Sequence, residues 1–291
     1  MLRIKDLCKN FGSKQVLHNI SLEVTQPLIY GLIGPNGAGK TTLMRTICGI
    51  LPASSGTIIY DKGYTWSRIA YMPDTTGLYA DMSVIDEIRY LGQLRGMTAR
   101  DSIKSVEKYI ERLGLQAYLK STVGLLSKGT KRKVQFICTF LAHPSFAVLD
   151  EPFSGLDPIS SIEMEKIILE KKNEGVAIFL STHHMEQAER FCDHIFLINK
   201  GELFIDDDVE HLKLVNIKNE YQVESLSPIN FNSQHISSEQ FSHGVYRYLL
   251  SSNNDYSYRQ IMNDIGNTEI LSLNRLTPDL KEIFVNSVKG L

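Results

Sequence analysis

The segment Gly34-Pro35-Asn36-Gly37-Ala38-Gly39-Lys40-Thr41-Thr42 limits what this chain can fold into more than any other stretch. It follows the apolar run LIYGLI at 28–33, which has the pattern of a buried strand, and it precedes LMRTI at 43–47, which has the pattern of a helix start. Its glycines let the backbone curl so that successive N–H groups point at an anion. The order of strand, loop and helix predicts a phosphate-binding loop.

Two side chains of this loop suit a nucleoside triphosphate. Lys40 supplies a point charge for the β- and γ-phosphates, and the Thr41 hydroxyl is a suitable ligand for Mg²⁺. The helix that follows adds its positive N-terminal end. The loop therefore predicts a site for a triphosphate together with a magnesium ion.

A second apolar strand, Phe146-Ala147-Val148-Leu149, ends in Asp150-Glu151-Pro152. An aliphatic strand that ends in Asp beside a phosphate loop usually holds Mg²⁺ through that Asp, and a neighbouring Glu can polarise water. An ordinary polar strand end is the alternative. A third apolar strand, 176–180, ends in Ser181-Thr182-His183. A histidine after a strand is more often a hydrogen-bonded structural residue, so the pattern alone leaves the role of His183 open.

Helix-start signals dominate the middle of the chain. Ser83 is predicted to cap a helix that runs to about Arg95, and Thr98, with Asp101 three residues later, is predicted to start a helix that ends near Gly114. We expect residues 75–143, approximately, to form a helical insert within an α/β domain.

The sequence Leu126-Ser127-Lys128-Gly129-Thr130 precedes an amphipathic helix predicted from about Lys131 to Ala142. A serine and a glycine at a helix start leave N–H groups free to face an anion. An ordinary helix cap gives the same pattern, and the segment by itself favours the cap.

The role of Phe11 is also open. It is an aromatic residue in the turn between the strands predicted at 2–7 and 16–24, where an exposed ring either stacks on a base or packs locally.

The composition of the whole chain excludes some classes of protein. Its 291 residues allow two domains, and a net charge of −2 gives no electrostatic reason to bind nucleic acid. We expect no signal sequence at Met1-Leu2-Arg3 and no membrane span, because no apolar run approaches about 18 residues. The cysteines lack metal-ligand spacing and are predicted to be reduced: Cys8, Cys48, Cys138 and Cys192.

After residue 208 the chain becomes richer in Ser, Asn and Gln. Strands are predicted at 221–225, 245–250 and 270–273, a helix at 258–265, and a final helix after Thr277-Pro278-Asp279. This tail is predicted to be a small α+β accessory domain.

The motifs in this order resemble the ATP-binding subunit of ABC transporters over residues 1–215. The resemblance rests on the phosphate loop, the helical insert, the Ser-x-Gly helix start, the LDEP strand end, the SGLD turn at 154–157 and the STH strand end. It implies an α/β P-loop NTPase fold, with a RecA-like core and an antiparallel β subdomain, over 1–215. The accessory domain then covers 216–291.

The resemblance also implies roles. Glu151 becomes the general base, Lys40 neutralises charge and His183 contacts the γ-phosphate. ATP is held by Phe11 on the adenine and by Asn36, Gly37, Ala38, Gly39, Lys40, Thr41 and Thr42 on the triphosphate. Mg²⁺ is held by Thr41, Asp74 and Asp150. The chain is then expected to pair with a second ATP-binding subunit, identical or related. Ser127 and Gly129 of this chain contact the ATP bound by that subunit, and Asp157 lies at the interface between the two.

Two departures from the family pattern bear on its subgroup. Lys128 and Thr130 stand where the family usually has Gly and Gln, and Asp74 stands where it usually has Gln. Both resemble a subgroup of bacterial ABC-2-like exporters in which the ATPase pairs with a separate six-helix transmembrane subunit. The loop at 74–79 is then expected to contact that subunit.

These observations predict an ATPase at the cytoplasmic face of the membrane that powers export through a transmembrane permease. Peptides and toxins, drugs and lipids remain open as cargo. The alternatives are an ABC ATPase that acts on nucleic acid or ribosomes, and an importer subunit. Nucleic acid is not predicted as a partner, because the chain is mildly acidic and lacks a basic tail.

Overall fold

The computed structural model describes residues 2–60, 68–218, 220–231, 236–251 and 258–289. The chain divides into two compact units, Met1–Val209 and Glu210–Leu291. The sequence places the boundary a few residues later, at 215 and 216. The difference arises because the helix Val209–Val215 continues directly from the last strand of the first unit and gives no turn signal.

The first unit contains strands and helices that alternate along much of its length. Its strands are β1 (Leu2–Phe11), β2 (Lys14–Val24), β3 (Ile29–Ile33), β4 (Ser55–Tyr60), β5 (Ile69–Met72), β6 (Phe146–Asp150), β7 (Ala177–Thr182), β8 (His194–Asn199) and β9 (Glu202–Asp208). Its helices are α1 (Lys40–Ile47), α2 (Val84–Leu94), α3 (Ala99–Arg112), α4 (Lys128–Thr139), α5 (Pro158–Asn173) and α6 (Met185–Phe191).

One sheet of this unit is antiparallel and has the strand order β2-β1-β4. In β1, Leu2 and Ile4 are buried while Arg3 and Lys5 are exposed, as the alternating sequence pattern predicts. The predicted antiparallel subdomain is confirmed, but both of its first strands are longer than predicted. Phe11 is the last residue of β1, opposite Lys14, and does not lie in the turn.

The other sheet has the order β5-β6-β7-β3-β8-β9, with parallel pairing from β5 to β8 and an antiparallel edge strand β9. Every residue of β3, β6 and β7 is buried, as expected for parallel strands covered on both faces. The carboxyl ends of parallel strands share one edge of the sheet. The segments after β3, β5, β6 and β7 therefore meet there.

A common hydrophobic core holds the two sheets together. It contains Leu2 and Leu17 of the antiparallel sheet, Leu32 and Phe179 of the parallel sheet, and Met44 of α1. Each fully buried side chain of this kind stabilises the fold by about 1.5–3 kcal/mol relative to exposure to water. The core fixes α1, and with it the phosphate loop, on the parallel sheet.

Helices α2 and α3 begin as predicted. The Ser83 side chain accepts a hydrogen bond from the N–H of Asp86 at the start of α2, and Thr98 accepts one from Asp101 at the start of α3. Capping of this kind satisfies N–H groups that have no partner within the helix.

The prediction for α4 was wrong at both ends. The helix begins at Lys128, because the Ser127 side chain caps it by accepting from the Thr130 N–H at 3.1 Å. It ends at Thr139, and Ala142 and His143 follow with φ values of 61° and 50°, a left-handed conformation that a helix cannot continue through.

The second unit is α+β. Helix α7 (Val209–Val215) begins at the last residue of the first unit. The second unit also contains β10 (Glu220–Ser225), β11 (Ile236–Ser242), β12 (Val245–Ser251), α8 (Tyr258–Ile265), β13 (Ile270–Arg275) and α9 (Leu280–Lys289). The antiparallel sheet has the order β11-β12-β10-β13, and Ile261 and Ile265 of α8 share a core with Val223, Tyr248 and Leu250. The sequence missed β11 because most of its residues are polar and exposed.

No helix in the described part of the chain is both long and apolar enough to cross a membrane. The cysteines are free thiols: Cys8, Cys138 and Cys192 are buried and Cys48 is half-buried.

The β8–β9 hairpin contains a histidine that should make stability depend on pH. The ring nitrogens of His194 lie 2.7 Å from Asp208 Oδ1 and 2.8 Å from Asp206 Oδ1. Burial lowers the pKa of His194, but its hydrogen bonds to the two carboxylates outweigh burial and raise the pKa above its ordinary value of 6.5. The charged imidazole therefore stabilises the fold below about pH 6.5, and this contribution is lost as the pH rises through the higher folded-state pKa.

We expect the thermal unfolding midpoint of the native chain to fall between about pH 6 and pH 9 by more than that of a His194→Gln variant. The measurement is a set of melting curves across this range. A His143→Asn variant, at an exposed position, is the control and should follow the native chain. Parallel curves for native chain and His194→Gln would contradict the assignment.

Candidate functional site

The phosphate loop connects β3 to α1 and depends on two of its glycines. Gly39, directly before the helix, has a φ of 108°, which a side chain rarely tolerates. A Cβ at Gly34 would lie 2.1 Å from the main-chain oxygen of Ile198 on β8. The loop therefore fits beside β8 only without these side chains.

Lys40 is the first residue of α1 and is only 7% exposed. Its Nζ donates to the main-chain oxygens of Gly34 at 2.7 Å and Pro35 at 3.2 Å, so the ammonium lies within the curve of the loop. Burial lowers the pKa of Lys40, and the nearby carboxylates of Glu151 and Asp150 oppose that change. The ammonium is the positive counterpart of these two acids.

A pocket of about 310 Å³ opens between the loop and the ends of β5 and β6. Its lining brings together most of the residues that the sequence assigns to nucleotide and metal, Asn36, Gly37, Gly39, Lys40, Thr41, Thr42, Asp74 and Asp150. The predicted base Glu151 and Val16, to which the sequence analysis gave no role, also line it. Ala38 is 3% exposed and belongs to the loop's inner side, where its main chain pairs with Pro35 and Gly201.

Asp150 is the last residue of β6 and is fully buried. Its Oδ1 accepts a hydrogen bond of 2.6 Å from the hydroxyl of Ser181, which lies opposite it on β7. The Tyr71 hydroxyl lies 3.5 Å from Oδ2. Ser181 Oγ also accepts from the Glu151 N–H at 2.9 Å, so one serine fixes both acidic residues.

Glu151 is held in an unusual backbone conformation. Its φ is 48°, in the left-handed region that few residues other than glycine adopt. Glu151 Oε1 lies 2.9 Å from His183 Nδ1 at the end of β7. A strained backbone conformation persists only where the surrounding structure holds it, and such conformations are frequent at functional sites. Here it turns the Glu151 carboxylate away from the strand and toward His183.

The atoms around the pocket suit a magnesium ion that binds together with a triphosphate. Thr41, Asp74 and Asp150 offer oxygen donors, which Mg²⁺ prefers. Within the described residues, no group of three or more His, Cys, Asp or Glu side chains forms a ready-made metal site. In nucleotide sites Mg²⁺ takes only one or two carboxylates and completes its shell with phosphate and water. The donor set fits that mode of binding.

The remaining predicted site residues lie outside the lining of this pocket. Phe11 is 47% exposed, and Lys9 Nζ lies 5.0 Å from its ring centroid. Ser127 caps α4, and a Cβ at the neighbouring Gly129 would lie 3.1 Å from the Gly155 oxygen. Asp157 caps α5 by accepting from the Ser160 N–H at 2.9 Å.

Two residues that the sequence did not single out are central to the geometry. Ser181 belongs to the STH strand end, but its role depends on the register between β6 and β7. Arg132, on α4, contacts the main chain next to both acidic residues. The sequence signal that could have identified Arg132 was a set of polar residues on the buried face of an amphipathic helix: Arg132, Gln135 and Thr139.

Comparisons with known proteins agree with this arrangement. Residues 17–154 match the family described as ABC transporter. An uncharacterized ABC transporter ATP-binding protein of Methanocaldococcus jannaschii is 40% identical over 69% of this chain and 75% of its own length. The uncharacterized ABC transporter ATP-binding protein YhaQ of Bacillus subtilis is 32% identical over 99% of this chain and 98% of its own length.

A solved structure of an ATP-binding subunit of an ABC transporter superposes with a TM-score of 0.69. It is 29% identical and covers 74% of this chain and 92% of its own.

Two further relatives have names that state a cargo. The lantibiotic transport ATP-binding protein SrtF of Streptococcus pyogenes is 31% identical over 72% of this chain and 92% of its own length. The bacitracin transport ATP-binding protein BcrA of Bacillus licheniformis is 32% identical over 75% of this chain and 73% of its own length. The phosphate loop, the buried strands that end beside it and the extent of these similarities show that the chain is an ATP-binding subunit of an ABC transporter and belongs to a family that hydrolyses ATP.

Proposed function

We propose that this chain binds ATP with Mg²⁺, hydrolyses it between two ATP-binding subunits, and so drives export through a separate transmembrane subunit at the cytoplasmic face of the membrane. The observation that carries the proposal is the meeting of Lys40, Asp150 and Glu151 in one pocket at the carboxyl edge of the parallel sheet. A cation, a buried carboxylate and a partly exposed carboxylate are the groups that phosphoryl transfer to water requires.

Binding of the triphosphate rests on the loop. Its N–H groups and the start of α1 favour an anion, and Lys40 neutralises the β- and γ-phosphates. Thr41, Asp150 and Asp74 would hold Mg²⁺, which would neutralise charge at the phosphates. The exposed ring of Phe11 stacks on the adenine, a contact that needs only the flat face of the base.

Glu151 acts as the base. The Ser181 hydroxyl fixes its main chain, and the contact with His183 orients its carboxylate. The carboxylate accepts a proton from water as the water oxygen attacks the γ-phosphorus in line and the bond to the β-phosphate oxygen breaks. The products are ADP and inorganic phosphate. His183 is 44% exposed and is also available to the γ-phosphate.

A second subunit explains the residues that lie outside the pocket. Ser127 is exposed at the start of α4, where free N–H groups and the helix dipole favour an anion. We assign Ser127 and Gly129 to the ATP of the other subunit, with Asp157 at the seam between them. Two copies in head-to-tail arrangement complete two equivalent sites.

Export is favoured over import by the departures at Asp74 and Lys128. SrtF and BcrA are named for transport of a lantibiotic and of bacitracin, which makes a peptide the first class of cargo to test. The net charge of −2 offers no support for a role on nucleic acid.

Purification of the tagged chain from native membranes in mild detergent tests the partner. We expect a stoichiometric protein with several membrane spans among the bound species, identified by mass spectrometry. Recovery only with RNA or ribosomal proteins would contradict the proposed function.

Replacing Glu151 with Gln should lower the turnover number for ATP by about 100-fold or more, because general-base catalysis contributes about 10²–10⁴-fold. ATP binding should persist, since the loop and Lys40 are unchanged, and an ATP-bound dimer should accumulate. Phosphate release and light scattering measure the two effects.

A Glu202→Gln variant is the matched control, because it makes the same change at an exposed position on β9. It should hydrolyse ATP at the native rate. Near-native turnover by Glu151→Gln would remove Glu151 from the role of base.

Replacing Ser181 with Ala should destabilise the chain by about 1–3 kcal/mol, because the buried Asp150 carboxylate loses a donor and the Glu151 N–H loses its acceptor. Turnover should fall with it. The matched control is Ser145→Ala: Ser145 Oγ is buried and has no hydrogen-bond partner among the described residues. Denaturant unfolding should show Ser145→Ala to be neutral or stabilising, and equal losses for both variants would contradict the assigned role of Ser181.

A further inference from the structure

Arg132 on α4 is a buried arginine whose guanidinium faces main-chain oxygens. The residue is 4% exposed. Within the described part of the chain it donates to a group of oxygens that we call the carbonyl cluster. Arg132 Nε donates to the oxygen of Pro152 at 3.2 Å. Nη1 donates to the oxygens of Pro73 at 2.7 Å and Asp74 at 3.0 Å, and Nη2 donates to those of Asp150 and Glu151, each at 2.5 Å.

The carbonyl cluster lies where two neighbouring strands end. Pro73 and Asp74 follow β5. The other three residues of the cluster are Asp150, which ends β6, and the two residues after it, Glu151 and Pro152. Strands β5 and β6 pair in parallel. Gln135, one turn after Arg132, donates to the oxygens of Pro73 at 3.0 Å and Thr75 at 3.2 Å. Buried main-chain oxygens need partners, and α4 supplies them here through side chains.

This arrangement costs free energy of desolvation. Burial lowers the pKa of Arg132, and the charges of Asp74, Asp150 and Glu151 oppose that change. An arginine stays charged in proteins, so the cation must be satisfied by the dipoles around it. The planar fork of the guanidinium reaches both strand ends at once, which the single ammonium of a lysine cannot match.

We propose that Arg132 is a positioning residue for ATP hydrolysis: by binding the carbonyl cluster it fixes the main chain of Asp74 and of Glu151 relative to α4, the helix that Ser127 begins. We call the contacts between Arg132 and the carbonyl cluster the link. The inference rests on the proposed function, because the link is taken to position the proposed base Glu151 and the loop at 74–79. It adds a mechanical connection between the start of α4 and the acidic residues of the same subunit.

The conformation of Glu151 shows what the link does. The N–H of Glu151 is fixed by Ser181 and its oxygen by Arg132, so both peptide groups around a left-handed residue are held. If the oxygen is released, the backbone can relax and redirect the carboxylate. A displacement of about 1 Å in a catalytic group can cost about 100-fold in rate. Lys40 donates to the oxygens of Gly34 and Pro35, outside the carbonyl cluster, and Ser181 fixes the Asp150 carboxylate separately. We therefore expect ATP binding to persist without the link.

The test compares three variants of the full chain. Arg132→Met keeps much of the length and removes the donors, and Arg132→Lys keeps a charge with fewer donors. Arg95→Met is the matched control, because the Arg95 guanidinium also donates to main-chain oxygens, those of Thr139 and Leu141, at the opposite end of α4. The readouts are turnover number, Kd for a fluorescent ATP analogue, melting temperature and amide hydrogen exchange.

We expect Arg132→Met to lower the turnover number by about 100-fold while Kd changes by less than about threefold, and Arg132→Lys to recover about tenfold of that loss. Exchange should accelerate in peptides that cover 73–80 and 150–156. Arg95→Met should lower the melting temperature yet keep turnover within about threefold of native.

Two results overturn the inference separately from the proposed function. Arg132→Met with turnover within about threefold of native, or with exchange unchanged at 73–80 and 150–156, refutes the positioning role. If Arg132→Met does not fold, Arg132→Lys decides by the same criteria. A native chain that fails to hydrolyse ATP refutes the proposed function itself, and with it the assigned purpose of the link.

Discussion

The hydrogen bond between Asp150 and Ser181 depends on the parallel pairing of β6 and β7 and determines the geometry of the whole site. A fully buried carboxylate is stable in its charged form only if donors face it. Because the strands are in register, the Ser181 hydroxyl donates to Asp150 and accepts from the Glu151 N–H at the same time. In the proposed mechanism Asp150 faces Mg²⁺ and Glu151 faces the attacking water, and both line the same pocket as the phosphate loop.

Positive and negative charges in this region are arranged in layers. Lys40 lies within the phosphate loop, the acidic residues end the strands, and Arg132 lies behind them on α4. Each cation donates to main-chain oxygens rather than forming a close ion pair with the acids. The carboxylates therefore keep oxygen atoms free of these cations, as the proposed binding of Mg²⁺ and water requires. In the proposed positioning role, Arg132 therefore acts through main-chain oxygens and does not contact the nucleotide.

Local signals predicted what depends on neighbours in sequence. The phosphate loop, the caps at Ser83 and Thr98, and the strand end at Asp150 were all readable, because each is defined by a few adjacent residues. The start of α4 was misjudged, since Ser127 caps the helix directly. The contacts of Arg132 could not be predicted, because they are made with main-chain oxygens that are distant in sequence. The positions of these oxygens follow only from the pairing of β5 with β6.

The most direct test of the proposed site is a structure of the Glu151→Gln chain with ATP and Mg²⁺. We expect the β- and γ-phosphates within hydrogen-bond distance of Lys40 and the loop N–H groups, with Mg²⁺ beside Thr41 and Asp150 and the γ-phosphate facing residue 151. We also expect Ser127 of a second copy on the far side of that phosphate. A nucleotide bound elsewhere, or a γ-phosphate directed away from residue 151, would contradict the proposed mechanism.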